Sequence, residues 1–334
     1  MAGHIVTLTR HVLSKKGGSV PSGEMALILE RIQVAAKRIA VELGRASLEE
    51  RLGYSGETNV QGEEQKKLDD WTNQTFIEVF QRGGFPVCSL VSEEMDLALH
   101  LPDNCGNPSY AVLYDPLDGS SNTDVNGSLG TIFSVRKRAP GHGSAIDDLL
   151  KPGTQQVASG YVIYGPGTQL VYTAGAGVDI YTLDRETGEF MLWREGIKMP
   201  RHGSTYAVNQ GNAVKWHPGA RKFIEHLTSR KDKSTSYSLR YTGAFVADFH
   251  RVLLEGGLYL YPGEAAAGGK SKGKLRLMYE LAPLAMIAEQ AGGKASTGKE
   301  RMLDVTPTDL HDRRPVYIGS AEEIELAERM RVED

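Results

Sequence analysis

The sequence predicts a layered α/β (α+β) sandwich in two lobes. The 334-residue chain exceeds the ~250–300 residues at which a single core usually stops growing. Helical patterns lie at both ends, around a central block of short β-branched and aromatic runs. Hydrophobic residues at 40% and charged residues at 24% sit near the globular average, so both lobes have material for a core.

The first helix is predicted over Met25 to Leu43, where Met25, Ile28, Leu29, Ile32, Ala35, Ala36, Ile39 and Leu43 recur at spacings of three and four before Gly44. Ser47 to Glu64 is polar and glycine-containing, lacks a sustained period, and reads as a mobile loop. A second helix carries Leu68, Trp71, Thr75, Phe76, Val79 and Phe80 on one face and stops at Gly83-Gly84. Strands are predicted at Val87 to Val91, Tyr110 to Tyr114, Thr131 to Val135, Val157 to Tyr164, Gln169 to Thr173, Val178 to Leu183 and Phe190 to Trp193. Turns such as Asp184 to Gly188 join several of them. A lobe boundary near Pro200 separates residues 1–200 from 201–334. Beyond it come strand Thr205 to Asn209, helices His217 to Leu227 and Ala244 to Leu254, strand Leu258 to Tyr261, helix Leu281 to Ala291 and strand Val316 to Ile318. A last helix is opened by a capping box of Ser320 with Glu323.

Several function classes are excluded. A formal charge of −4 argues against nucleic acid as the main partner, because phosphate-backbone binding needs a net basic face. No stretch reaches the ~18 consecutive apolar residues of a membrane span. Met1 to Lys16 lacks the apolar core of a secretory signal, and Cys88 and Cys105 alone imply no disulfide framework, so a cytoplasmic setting is expected. Gly269-Lys270-Ser271 lacks the earlier glycine of a P-loop, and Gly175 with Gly177 lacks the third glycine of a dinucleotide fingerprint. The nine histidines show no H-x-x-x-H spacing for zinc. Asp115 and Asp118 are separated by two residues, not the one residue of an aspartyl-phosphate enzyme.

The chemistry concentrates in two acidic clusters that each end a predicted strand, Ser92-Glu93-Glu94 and Asp115-Pro116-Leu117-Asp118-Gly119-Ser120-Ser121-Asn122. Pro116 is expected to bar continued β pairing and turn the chain, so that Asp115, Asp118 and the Leu117 carbonyl face one point. Such hard oxygen donors suit Mg²⁺ or Mn²⁺. Carboxylates ~4 Å apart repel by about 4 kcal/mol per pair at an effective dielectric of ~20, so a phosphate dianion can approach only once cations intervene. Gly119, Ser120 and Ser121 then offer backbone N–H groups and hydroxyls to phosphate oxygens. The alternative for this motif alone is an acidic turn or a single Ca²⁺ loop. In the C-terminal half, Arg240, Tyr241, Tyr261, Lys274 and Arg276 suggest a second anionic group held by Arg, Lys and Tyr.

These segments, together with Lys272-Gly273-Lys274-Leu275-Arg276-Leu277-Met278-Tyr279-Glu280, closely resemble class I fructose-1,6-bisphosphatase, over nearly the whole chain from Thr7-Leu8-Thr9-Arg10 to Ala291-Gly292-Gly293. The resemblance implies a sugar-phosphatase-like fold, a homotetramer, and Mg²⁺-dependent cleavage of the 1-phosphate of fructose 1,6-bisphosphate, in gluconeogenesis or carbon fixation. It implies that Glu93, Glu94, Asp115, Asp118, the Leu117 carbonyl and Glu280 carry two or more metal ions, with Mn²⁺ able to substitute. Asp69 and Glu93 would help to activate water, with Glu63 offered by the loop. Asn209, Tyr241, Tyr261 and Lys274 would contact the sugar and the 6-phosphate, and Arg240 would reach in from a neighbouring subunit. Ser22, Gly23, Glu24, Met25, Tyr110 and Lys137 stand at the family's AMP site.

Departures are equally specific. Asn212 occupies the place of a phosphate-binding tyrosine of vertebrate members, and Ser109 and Lys137 replace the lysine and arginine of the AMP site. Ala139 to Pro152 holds no cysteine, unlike the thioredoxin-switched chloroplast form. Enzymes acting on sedoheptulose bisphosphate or inositol phosphates are the nearest rivals. A non-catalytic sugar-phosphate sensor would be expected to have lost some of the carboxylates, and none is lost.

Overall fold

A computed structural model describes residues 6–15, 20–58, 64–83, 85–105, 109–139, 146–229, 237–265 and 271–334. The chain adopts the expected layered architecture, with helices and two large sheets stacked alternately. An eight-stranded sheet runs in the spatial order 189–194, 179–184, 168–173, 156–164, 129–137, 110–118, 87–92 and 99–100. Neighbours are antiparallel except Val87–Ser92 beside Tyr110–Asp118. A five-stranded mixed sheet follows, in the order 238–239, 205–207, 258–261, 316–319 and 294–296.

Strand periodicity builds the layers. On the large sheet Val112, Tyr114 and Phe133 join a core with helices Ser22–Leu43 and Lys67–Gln81, through Ile28, Ile32, Phe76 and Phe80. Their neighbour Ile132 and the strand residues Tyr161, Val171 and Ile180 turn to the opposite face. There they meet Phe245, Phe249, Leu284 and Ile287 of helices Phe245–Glu255 and Ala282–Gln290. Tyr259 and Ile318 of the smaller sheet close the same core from the other side. Their neighbours Leu258, Leu260 and Tyr317 pack outward on Phe223 and Ile324 of helices Pro218–Thr228 and Ala321–Arg329. The middle core therefore takes side chains from both sides of Pro200.

Four local expectations are corrected. Tyr110–Asp118 continues through Pro116 as one buried strand, with no turn there. Asp115 pairs with Ile132 and Asp118 with Gly130, so an extra residue bulges out of the ladder, where the missing N–H of Pro116 costs no cross-strand bond. Part of the segment read as a mobile loop forms a hairpin, Tyr54–Thr58 with Glu64–Lys66. Its sequence lacks hydrophobic alternation because polar ties hold it. Glu63 lies outside the described residues. The helix expected from Leu281 is preceded by a π-helical turn, Leu277–Leu281. Ser320 and Glu323 form no capping box. Ser320 Oγ instead donates to the Pro200 carbonyl (2.6 Å) and accepts from Gly257 N–H (3.0 Å), while Glu323 Oε1 accepts from Gly203 N–H (2.8 Å) and Tyr237 O–H (2.5 Å).

Gly130, opposite Asp118, lets helix Phe245–Glu255 lie close on the sheet, since a Cβ there would sit 2.6 Å from Val246 Cβ. Gly130→Ala should therefore destabilise the fold by about 1–3 kcal/mol through overpacking. Urea unfolding checks this, and an unchanged midpoint would show that the helix shifts without strain.

Candidate active site

The bulge places the acids. In a regular strand, residues three apart point to opposite faces. The extra residue between Asp115 and Asp118 returns both carboxylates to one side, where oxygens of Asp115, Asp118 and Glu280 all lie within 4.8 Å of one another. Leu117 sits between the two aspartates, and its N–H donates to Asp115 Oδ1 (2.9 Å). Asp118 Oδ2 accepts from Val246 N–H (2.7 Å) in the first turn of helix Phe245–Glu255. Glu280 arrives on the π-helical turn, where its Oε2 accepts from Arg276 N–H (2.6 Å). Single π turns recur at functional sites because they rotate one side chain out of the helical register.

Glu93 follows strand Val87–Ser92 and is anchored by its N–H on the Tyr114 carbonyl (3.1 Å). Its side chain hydrogen-bonds to Asp115 and pairs with Arg276, whose Nη1 lies 2.6 Å from Glu93 Oε1 and 3.9 Å from Glu280 Oε2. Arg276, expected on the substrate side, is thus buried as the cation of the acidic cluster. Glu94 is half-buried, its N–H on Ser92 Oγ (3.2 Å). Asp69 belongs to the first turn of helix Lys67–Gln81, accepts from Lys66 N–H at 3.1 Å and hydrogen-bonds to Ser120.

Burial is the first cause of the electrostatics. It pushes the Asp115 carboxyl well above its ordinary range, reinforced by the charges of Glu93, Asp118 and Glu280. Glu280 is pushed up to about 8 by burial and by Glu93, against the opposing pull of Arg276. Asp118 rises to about 7, chiefly from burial, which outweighs the Val246 and Phe245 N–H groups. Asp69 also reaches about 7 from burial, moderated by Lys66 N–H and Ser120. Neutralising such a set takes protons or divalent cations, and buried, oxygen-only donors fit a hard cation.

The turn expected to hold phosphate follows at once. Gly119 adopts φ +80°, and a Cβ on it would meet Ala244 Cβ at 2.5 Å. Ser120–Val125 then forms a 3₁₀ turn, with Ser120 half-buried and Ser121 exposed. Asn122 Nδ2 ties that turn to the carbonyls of Ser128 (3.2 Å) and Thr242 (3.1 Å).

Tyr261, Lys274 and Asn212 gather, with Tyr241 near enough to feel both Tyr261 and Asp118. Asn212 Nδ2 donates to Tyr261 O–H (3.0 Å), and Lys274 Nζ stands 5.8 Å from the centre of the Tyr261 ring. Tyr241 is pushed up to about 12, first by burial and then by Tyr261, Asp248 and Asp118. Asn209 precedes the 3₁₀ turn Gln210–Lys215. Arg240 is exposed and donates from Nη1 to the Leu239 carbonyl (2.9 Å). At the far end of the large sheet, Tyr110 O–H donates to Glu24 Oε2 (2.5 Å), and Lys137 is the register partner of Tyr110. Ser22 and Met25 line a small cavity there with Val12, Lys15 and Tyr172, and Gly23 lies between them on the helix.

Comparison with known proteins now bears on this geometry. Residues 6–195 match the family model described as "Fructose-1-6-bisphosphatase, N-terminal domain", and residues 199–332 its C-terminal counterpart. The chain belongs to the fructose-1,6-bisphosphatase family. It is 47% identical over 324 residues to the class 1 fructose-1,6-bisphosphatase of Trichodesmium erythraeum, covering 96% of this chain and 89% of that one. With the class 1 enzyme of Synechococcus sp. (strain JA-3-3Ab) it shares 48% over 328 residues, covering 97% and 96%. The crystal structure of Leishmania major fructose-1,6-bisphosphatase in holo form superposes with a TM-score of 0.88 at 39% identity, covering 98% of this chain and 99% of that one.

Sequence reasoning missed the partnership of Arg276 with Glu93, whose signal is the i,i+4 spacing of Arg276 and Glu280. It also missed Asp248, which holds Thr242 N–H with both carboxylate oxygens (3.0 and 3.1 Å) beside the phosphate turn.

The raised acids predict an inverted pH response. Without metal, the folded state keeps protons on Asp69 and Glu280 up to about 7 and about 8, while the unfolded chain releases them near the ordinary carboxylate values. The folded state then binds more protons across this interval, so the stability of the metal-free protein should fall as pH rises from about 5 to about 8. Excess divalent cation should flatten that slope, since it replaces the protons. Urea midpoints in chelator and in Mg²⁺ check it, and a metal-free midpoint that rises over the interval would contradict the assignment.

Proposed function

We propose that this chain hydrolyses the 1-phosphate of fructose 1,6-bisphosphate to give fructose 6-phosphate and phosphate. The observation that carries the reading is the buried trio Asp115, Asp118 and Glu280, together with the turn that follows Asp118 from Gly119 and Ser120, the latter hydrogen-bonded to the buried Asp69. Enzymes of this family depend on metal. Glu93, Glu94, Asp115, Asp118, the Leu117 carbonyl and Glu280 would hold two or more Mg²⁺ ions, with Mn²⁺ able to substitute. When bound, the ions supply charge neutralisation, a lowered pKa for water and stabilisation of the departing sugar oxygen.

The residues do the remainder. Gly119, Ser120 and Ser121 orient the 1-phosphate by N–H and hydroxyl donors, so that water attacks in line with the leaving oxygen. Asp69, poised near neutral pH, takes the water's proton, with Glu93 as its acidic neighbour. Tyr241, Tyr261, Lys274 and Asn209 hold the sugar and its 6-phosphate. Arg240 would serve the site of a neighbouring subunit in a homotetramer, which its exposure supports. Ser22, Gly23, Glu24, Met25, Tyr110 and Lys137 are proposed to receive AMP, with a cytoplasmic setting for the whole. No helix among the described residues is long and apolar enough to cross a membrane.

Phosphate release from fructose 1,6-bisphosphate should vanish in chelator, return with Mg²⁺ or Mn²⁺, and exceed that from sedoheptulose bisphosphate and inositol phosphates. The same assay with AMP tests the effector site. Asp118→Asn should behave like the chelated enzyme, and near-normal turnover in that variant would defeat the metal assignment. Asp69→Ala should lower kcat by roughly 10²–10⁴-fold with KM changed far less. A raised KM with kcat preserved would move Asp69 to substrate binding.

For Arg240→Ala, loss of a charge-assisted pair of about 1.5–3 kcal/mol should raise KM by one to two decades with little change in kcat. Hybrids mixed with Asp118→Asn subunits should regain a near-normal KM where an intact arginine faces an intact metal site. A KM independent of mixing ratio would place Arg240 in its own subunit's site or in none.

A further inference from the structure

The hairpin Tyr54–Thr58 with Glu64–Lys66 pairs with no other strand among the described residues, and two strands alone are marginal in water. Lys66 leads directly into helix Lys67–Gln81, whose Lys67 N–H donates to the Gly53 carbonyl (3.2 Å), and one carboxylate of the phosphate-side turn holds both ends of the hairpin. Asp124, in the 3₁₀ turn that follows the phosphate-binding serines, accepts Gly53 N–H on Oδ1 (2.9 Å) and the Lys66 ammonium on Oδ2. Gly53 and Lys66 mark the two ends of the hairpin. The Lys66 side chain is 9% exposed, and its Nζ stands 4.0 Å from the centre of the Tyr54 ring. Lys66 N–H is the donor that holds Asp69 Oδ2.

We propose that Asp124 is a positioning residue for the reaction. It fixes Lys66 and, through the Lys66 backbone N–H, the carboxylate of Asp69 relative to the phosphate turn. The inference rests on the reading of Asp69 as the group that activates water. A surface ion pair is worth little, but here the Lys66 side chain is covered by Tyr54, and a covered charge that loses its counter-charge gains by moving to water. Loss of Asp124 therefore releases the Lys66 ammonium to water and loosens the base of the hairpin, and with it one of the two ties on Asp69, the other being Ser120. The phosphate turn and Asp69 are bound to the same residue by opposite routes, so the water base and the phosphate donors are kept in one register.

Asp124→Ala should lower kcat for fructose 1,6-bisphosphate by about ten- to a hundredfold, the scale of a small misplacement of a catalytic group, with KM within about twofold. Hydrogen exchange at the Gly53 and Lys66 amides should quicken. A purely structural role would not produce a specific rescue, and this one should. Lys66→Met keeps the aliphatic stem over Tyr54 and removes the charge, so Lys66→Met with Asp124→Ala should be more active than Asp124→Ala alone. Asp124→Asn, which retains the acceptor for Gly53 N–H, should fall between the wild type and Asp124→Ala and serves if the alanine variant does not fold. Wild-type kcat in both Asp124 variants, a KM effect without a kcat effect, or a double variant no better than Asp124→Ala would each overturn the proposal. If Asp69→Ala itself leaves kcat intact, the reading of Asp69 is what fails. If Asp69→Ala is impaired and the Asp124 variants are not, only the present inference falls.

Discussion

Crowding of like charge in a dry place governs this structure. Glu93, Asp115, Asp118 and Glu280 are all buried, and each disfavours ionisation of its neighbours. Among the described residues the compensation includes the Arg276 guanidinium and N–H groups from Val246, Phe245, Leu117 and Arg276, which leaves burial the larger effect on Asp118 and Glu280. Leaving several carboxylates short of counter-charge costs stability, and folds keep such an arrangement where chemistry uses it. The backbone is irregular at the same places. A bulge carries Asp115 and Asp118, a left-handed glycine follows them, and a π turn carries Glu280. Each irregularity turns a side chain toward the common point from a direction that regular structure would deny it.

The layers exist to hold that point. Asp118 and Val246 are distant in sequence, and they meet because helix Phe245–Glu255 lies on the large sheet through Phe245, Val246 and Phe249. Two glycines permit the approach. Side chains at Gly119 and Gly130 would strike Ala244 and Val246, respectively, on the segment that delivers the N–H to Asp118. Hydrophobic packing thus sets an electrostatic distance, and the middle core, shared by both sheets, is what the acid site stands on.

Much of this was legible in the sequence, and the illegible part has one character. Periodicity located the helices of the core and the buried strands, because Ile28, Phe76, Phe245 and Ile287 are placed by packing and recur with the helical repeat. The acids were legible as a motif because Asp115 and Asp118 are local to each other. Irregular backbone was not. A bulge and a π turn each add a residue without altering composition, so Pro116 read as a stop and Leu281 as a helix start. Long-range polar ties were equally silent. Ser320 and Glu323 have the spacing of a capping box, yet their side chains serve Pro200, Gly257, Gly203 and Tyr237, partners that only the tertiary fold supplies. The hairpin after Gly53 was missed for the same reason, since an ion pair between Lys66 and Asp124 leaves no periodic trace.

Asp69 stands apart from the cluster it serves, and the causes of its basicity show why. Burial comes first, the local donors Lys66 N–H and Ser120 oppose it, and the charge of Glu93 comes only after them. For Asp115 and Glu280 the neighbouring acids follow burial directly. Counter-charge at the cluster therefore removes the main electrostatic cause acting on Asp115 and Glu280, but only a secondary one acting on Asp69. A carboxylate whose basicity comes chiefly from its own burial depends less on the charge of the acids beside it, which suits the general-base role proposed for Asp69. The proposed separation of roles matches where each acid is anchored: the cluster on bulge and π turn, Asp69 on the first turn of a regular helix.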